Sequence, residues 1–117
     1  MIADNDTTSI LNTVKKMLGL GILDGPFDAD IIMHINSVFM ILSQMGVGPE
    51  DGFEISDSST TWSEYTEDDK MLNSVKSYVY LKVRLMFDPP MTSSHIEAIN
   101  NQIRELEYRL YTQKGGY

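Results

Sequence analysis

The sequence predicts a mainly α fold, a small bundle of about four helices with an ordered loop or short β-hairpin between the second and third. Three observations carry this. The stretch Tyr78-Val79-Tyr80-Leu81-Lys82-Val83-Arg84-Leu85-Met86-Phe87 holds only two charged residues, so at 100° per residue its apolar side chains reach almost all round a helix, as in a segment enclosed by neighbours. The preceding Met71, Leu72 and Val75 bring a helical period into it, which favours helix over strand. Finally, two further segments show apolar residues at steps of three and four.

Each element follows in order. Thr7, Thr8 or Ser9 caps a first, short helix whose Ile10, Val14, Met17 and Leu18 share a face, and Gly19 or Gly21 stops it. The turn-rich connector Gly21-Ile22-Leu23-Asp24-Gly25-Pro26-Phe27 leads into a second helix from Asp28 to Met45, with Phe27 as a hydrophobic staple ahead of an Asp28 N-cap. Its stripe is Ile31, Ile35, Val38, Phe39, Leu42 and Met45, widened by Ile32, and Gly46 closes it. His34 flanks the stripe without an acid or His partner at helical spacing, so a surface or core histidine is expected rather than a metal ligand. Asn36 also flanks it.

Residues 47–66 differ in kind. After the turn material Val47 to Gly52, Phe53-Glu54-Ile55-Ser56 and Thr60-Thr61-Trp62-Ser63 alternate as two short strands would around Asp57-Ser58-Ser59. Phe53, Ile55 and Trp62 are expected to cover one end of the core. The other reading of Trp62 is an interface anchor. Thr66, followed by Glu67, Asp68 and Asp69, is expected to cap the central helix, with acids complementing its dipole. That helix stops at Asp88, because Pro89 disfavours the α region there and the pair Pro89-Pro90 offers no backbone N–H. Ser94 and Glu97 fit a capping box for the last helix. Along it Ile96, Ile99, Ile103, Leu106 and Leu110 step by 3, 4, 3 and 4, a narrow seam suited to the central helix or to another subunit. The tail 111–117, with Tyr111 and Tyr117, has no fold of its own and reads as a flexible arm.

Composition narrows the function. A chain of 117 residues reads as one domain, 1–117. It has no cysteine, which excludes disulfides and thiolate metal sites and suits a reducing compartment. No apolar run is long enough to span a membrane, and Met1 to Asp6 lacks the basic and apolar regions of a signal peptide, so a protein that does not cross a membrane is expected. The net charge of −8 is concentrated. Residues 50–69 hold eight acids and no base, against five acids and two bases before them and four acids and seven bases after. Such a segment repels phosphate and argues against wrapping nucleic acid. It is either a solvated loop or an acidic face for a basic partner.

A search for chemistry returns no phosphate-binding glycine loop, dinucleotide fingerprint, zinc-protease helix, nucleophile elbow or calcium loop. No catalytic, metal or cofactor residues are assigned, and no enzyme is expected. Asp88 is read as part of a structural helix stop with Pro89 and Pro90, its carboxylate accepting backbone or arginine hydrogen bonds.

Taken together, several stretches resemble the small head-tail connector (adaptor) proteins of long-tailed bacteriophages and prophages. They are Leu18-Gly19-Leu20, Phe27-Asp28, Ile35-Asn36-Ser37, Gln44-Met45-Gly46-Val47-Gly48, Gly52-Phe53-Glu54-Ile55 with Trp62, Val75-Lys76-Ser77-Tyr78-Val79, Lys82-Val83-Arg84, Phe87-Asp88-Pro89-Pro90 and Glu107-Tyr108-Arg109-Leu110. Phe-Asp-Pro-Pro after Lys-x-Arg is the most specific. The resemblance implies a virion protein, assembled in the host cytoplasm, whose copies form a ring of about twelve beneath the portal protein. Such a ring extends the DNA channel without binding DNA specifically, and links the DNA-filled head to a neck, stopper or tail-completion protein. It makes Tyr108, Tyr111, Thr112, Gln113 and Tyr117 candidate portal contacts. It makes Glu50, Asp51, Phe53, Glu54, Asp57, Trp62 and Glu64 a candidate intersubunit or distal loop. The alternative is a small acidic interaction module, a nucleic-acid mimic or regulator, that binds a basic host protein through residues 50–69; a carboxylate enzyme at Asp88 is the second rival.

Overall fold

The structure, a computed structural model, describes residues 8–21, 23 and 25–113, with the backbone alone at Gln113. Among the described residues there are five helices and no strand: α1 Ile10–Met17, α2 Asp28–Gln44, α3 Trp62–Tyr65, α4 Asp69–Phe87 and α5 Ser93–Gln113.

The mainly helical class is as expected, and the differences lie at the ends and in the loop. Ser9 caps α1, its hydroxyl accepting from the Asn12 N–H at 3.2 Å. The helix ends in a Schellman motif, with Leu20 N–H to the Lys15 carbonyl and Gly19 N–H to that of Lys16. The α2 cap is Phe27 rather than Asp28, and no side chain caps it. Asp28 is the first helical residue because its carboxylate is drawn to Lys15: the two meet at 2.8 Å, and the ammonium, 3% exposed, also donates to the Leu23 carbonyl at 2.7 Å. Phe27 packs edge-on against Phe87, at 5.4 Å between ring centres. At the other end of α2, Gly46 takes φ +84°, where a side chain would be strained, and a second Schellman motif follows (Val47 N–H to Leu42 carbonyl, 2.9 Å).

Two other caps lie away from their expected places. Asp68, not Thr66, caps α4, its carboxylate accepting from the N–H groups of Lys70 and Met71, while the Thr66 hydroxyl accepts from the Asp68 N–H. At α5 the Thr92 hydroxyl accepts from the His95 N–H, which moves the start upstream of the Ser94–Glu97 pair. α5 runs through Tyr111 and Thr112 to Gln113, so these three residues are helical where a tail was expected, and 114–117 lie outside the described residues.

The loop is ordered without a hairpin. Ser9 and Thr61 form an isolated bridge, and Thr60-Thr61-Trp62-Ser63 turns into α3 because Glu64 reaches back to the N–H and hydroxyl of Thr61. Asn36 holds the preceding segment: its amide donates to the Ile55 carbonyl at 2.9 Å and accepts from the Ile55 N–H at 2.8 Å. Phe39 then collects Phe53, Trp62 and Tyr65 around itself at ring separations of 5.3, 6.4 and 5.0 Å.

The core joins Ile10 and Val14 of α1, Ile31, Ile35, Val38, Phe39 and Leu42 of α2, and Val75, Tyr78, Val79 and Val83 of α4. The α5 seam closes on α4 through buried Ile99, Ile103 and Leu110, with Ile96 and Leu106 half-buried. α4 is not enclosed all round as expected; Leu81 and Leu85 are half-buried and Met86 is 43% exposed, because among the described residues no element covers that side. Phe27 on Phe87 and the Tyr78 hydroxyl on Glu107 (2.8 Å) fix α2 and α5 antiparallel to α4. The 45–68 segment and the C-terminal turns of α5 therefore share one end of the bundle. Residues 18–21 and 25–27 of the connector share the other with the 88–92 turn.

Candidate docking surfaces

At the first end, α5 presents two tyrosines outward. Leu110 is fully buried, and on the helix it lies about half a turn from Tyr108, so anchoring one projects the other. Tyr108 is 71% exposed and Tyr111 41%. Thr112 is exposed, its hydroxyl donating to the Tyr108 carbonyl at 2.9 Å. Gln113 ends the helix, and Tyr117 lies outside the described residues.

The loop residues separate into two groups. Glu50, Asp51, Glu54, Asp57 and Glu64 are exposed, whereas Phe53 is half-buried and Trp62 is 2% exposed. Trp62 is therefore no surface anchor; its indole N–H donates to the Thr13 hydroxyl at 3.1 Å and its ring packs on Phe39. Several acids have local work. Ser59, by its hydroxyl and N–H, holds the Asp57 carboxyl below the usual carboxylate range. Glu64 and Asp68 cap helices. Asp51 and Glu54 have no such task and border a groove along α2, whose other wall includes Met33, Ser37 and Met40.

Those three α2 residues escaped the sequence reading. Met33 and Met40 are 63% and 62% exposed, and with Ser37 they follow an i, i+4, i+7 spacing about half a turn from the buried stripe. A second apolar row opposite the first was the available signal. On α4, a second groove opens where α1, α4 and α5 meet, floored by Met17, Leu81 and Leu106 and bordered by Tyr80 and Arg109. Arg84 reaches the Tyr80 hydroxyl at 3.4 Å, and Arg109 pairs with Glu105 at 2.9 Å. Asp88, exposed, ends α4 through its backbone N–H to the Arg84 carbonyl, and its carboxylate takes no hydrogen bond among the described residues, contrary to expectation. Proline at 89 alone accounts for the stop.

Among the described residues no three of His, Asp and Glu come together in a way that holds a metal ion, and no helix is long and apolar enough to cross a membrane. The features that stand out are exposed aromatic and apolar rows on rigid helices, a geometry of docking between macromolecules. The chain is a small, mainly helical protein. A family model described as phage connector protein matches residues 10–117, and the chain belongs to that family. It is accordingly a structural phage protein and a virion component. No curated protein and no solved structure matches.

Proposed function

We propose that copies of this chain form an adaptor ring beneath the portal protein, extending the DNA channel and joining the DNA-filled head to the neck or tail. The observation that carries this is Tyr108 and Tyr111 held outward on a helix anchored by Leu110, since rigid aromatic side chains at the end of an anchored helix suit an interface core. Tyr108, Tyr111, Thr112, Gln113 and Tyr117 meet the portal. The opposite end, where Leu23 is 84% exposed, Phe27 49% and Met91 fully, meets the tail-side protein. The acidic loop emerges at the portal end and folds back along α2, which favours an intersubunit role over a distal one. The net charge of −8 lets DNA pass without adhering.

The test is co-sedimentation of the purified chain with portal rings of the same phage, followed by particle imaging. A ring stacked on the portal is expected, and Y108A/Y111A is expected to weaken attachment by at least about tenfold while the monomer stays folded. Absence of any association, with DNA-filled heads as well, overturns the reading and returns the acidic loop as a site for a basic host protein. Full attachment by Y108A/Y111A moves the portal contact elsewhere.

A further inference from the structure

The two grooved faces described above differ in charge and in direction. On α2, Met33, Ser37 and Met40 form an exposed row, two methionines about a serine, along one wall of a groove whose other wall carries Asp51 and Glu54, in a segment where residues 50–69 contain no base. On α4, Met17, Leu81 and Leu106 floor a trough bordered by Arg109 and, through Tyr80, by Arg84. Glu105 is the acid among the trough's lining residues, and it is taken by Arg109. That pair is 62% and 67% exposed, so it contributes little and is readily exchanged for a better partner.

Direction follows from helical geometry. The α2 row lies about half a turn from Ile31, Ile35 and Leu42, which face the core. Ser77 and Leu81 on the trough side of α4 lie likewise about half a turn from Val79, and Val75, Val79 and Val83 face the same core, while Tyr80 stands at the trough's edge. The row and the trough thus point to opposite sides of a molecule measuring 41 × 36 × 22 Å.

We propose that the occupant of the trough is a second copy of this chain, whose Met33–Ser37–Met40 row lies in it with Asp51 and Glu54 facing Arg84 and Arg109. A helix ridge laid into a groove between helices is the ordinary way helices pack, and methionine adapts to an apolar floor. The two surfaces are unlike and oppositely directed, so the contact is head-to-tail, and a pair keeps one free row and one free trough; repeated with a rotation that closes, it gives a ring. The inference rests on the ring reading above and assigns its intersubunit contact. Opposite charge fixes the order of the two faces and disfavours row on row.

The absence of cysteine makes the test clean. Met40→Cys and Met17→Cys are placed in separate chains at side chains 62% and 41% exposed, where neither supports the core. Under mild oxidation at high protein concentration and on portal rings, the mixture is expected to give a crosslinked dimer, and neither variant alone should. The double variant M17C/M40C should give a ladder of covalent multimers. Adding D51K/E54K should reduce the ladder at least about tenfold, and R84E/R109E chains mixed with D51K/E54K chains should restore the crosslink between them. Rings that form on the portal without any ladder overturn this contact and leave the adaptor reading standing. A ladder without portal association keeps the contact and removes the adaptor reading. Crosslinking of Met40→Cys to itself overturns the head-to-tail arrangement.

Discussion

Asn36 treats Ile55 as a neighbouring strand would: its side-chain amide donates to the Ile55 carbonyl at 2.9 Å and accepts from the Ile55 N–H at 2.8 Å. One residue of a helix thereby satisfies both backbone groups of a loop residue whose own side chain is 4% exposed. The Ile55 backbone is fixed in place on α2 although among the described residues it has no partner strand.

Asn36→Ala removes both bonds and leaves the Ile55 N–H and carbonyl unpaired beside the core. A loss of about 2 to 3 kcal/mol is expected in urea unfolding, with faster hydrogen exchange at the Ile55 amide. Asn36→Asp keeps the acceptor but sets an anionic oxygen against the Ile55 carbonyl, and should be no better than the alanine variant. An unchanged Ile55 exchange rate in Asn36→Ala would contradict the clamp.

Lys15 ties α1 to α2 from a site 3% exposed, with Asp28 at 2.8 Å and the Leu23 carbonyl at 2.7 Å. Asp28→Ala strands a buried ammonium with a single neutral acceptor and should cost about 3 kcal/mol. Lys15→Met keeps the length and removes the charge, so it should cost clearly less. Chemical denaturation of the two variants in parallel decides it, and equal losses would assign the effect to packing rather than charge.

Gly48 holds φ +91°, and a Cβ there would stand 2.6 Å from the Tyr65 hydroxyl. That hydroxyl is buried and has no hydrogen-bond partner among the described residues. Tyr65→Phe is therefore expected to leave stability unchanged or raise it by up to about 1 kcal/mol. Gly48→Ala should cost more than about 1 kcal/mol through backbone strain and the clash. The double variant should recover only part, because the Tyr65 ring carbons lie as close, at 2.7 Å. Thermal unfolding measures all three.

Alkaline pH probes two tyrosines together. Burial raises the Tyr65 phenol above its ordinary 10.0, and burial, the hydrogen bond to Glu107 and the Glu107 charge raise that of Tyr78. Both bind their proton more tightly folded than unfolded. Their contribution is complete below pH 10.0 and is lost as pH rises beyond it, when ionisation favours the unfolded chain. Tyrosinate absorbance should show two phenols ionising late, together with unfolding, and Tyr65→Phe should leave one. No late-ionising phenol in a folded chain would contradict the burial of both.

The helices, the α5 seam and the helix stop at Pro89-Pro90 were legible in the sequence. Apolar spacing and the missing proline N–H act within one segment and need no knowledge of the rest of the chain. The family resemblance rested on the same local stretches, and the match over residues 10–117 agrees with it. The caps of α2, α4 and α5 were misplaced by one or two residues: Asp28 pairs with Lys15 on α1, and Asp68 and Thr92 accept the free N–H groups in place of Thr66 and Ser94. The second half of the loop read as strand because Thr60 to Ser63 alternate, yet Glu64 capping Thr61 and Trp62 reaching Thr13 made it a helical turn.

Periodicity along the sequence determined which residues form each helix and which face is apolar. What meets what was decided only by the fold: Trp62 entering the core, Asn36 clasping a residue 19 positions away, and the α2 row facing away from the α4 trough. Those outcomes depend on how long-range contacts share one limited core. A pattern confined to single segments carries no information about that competition.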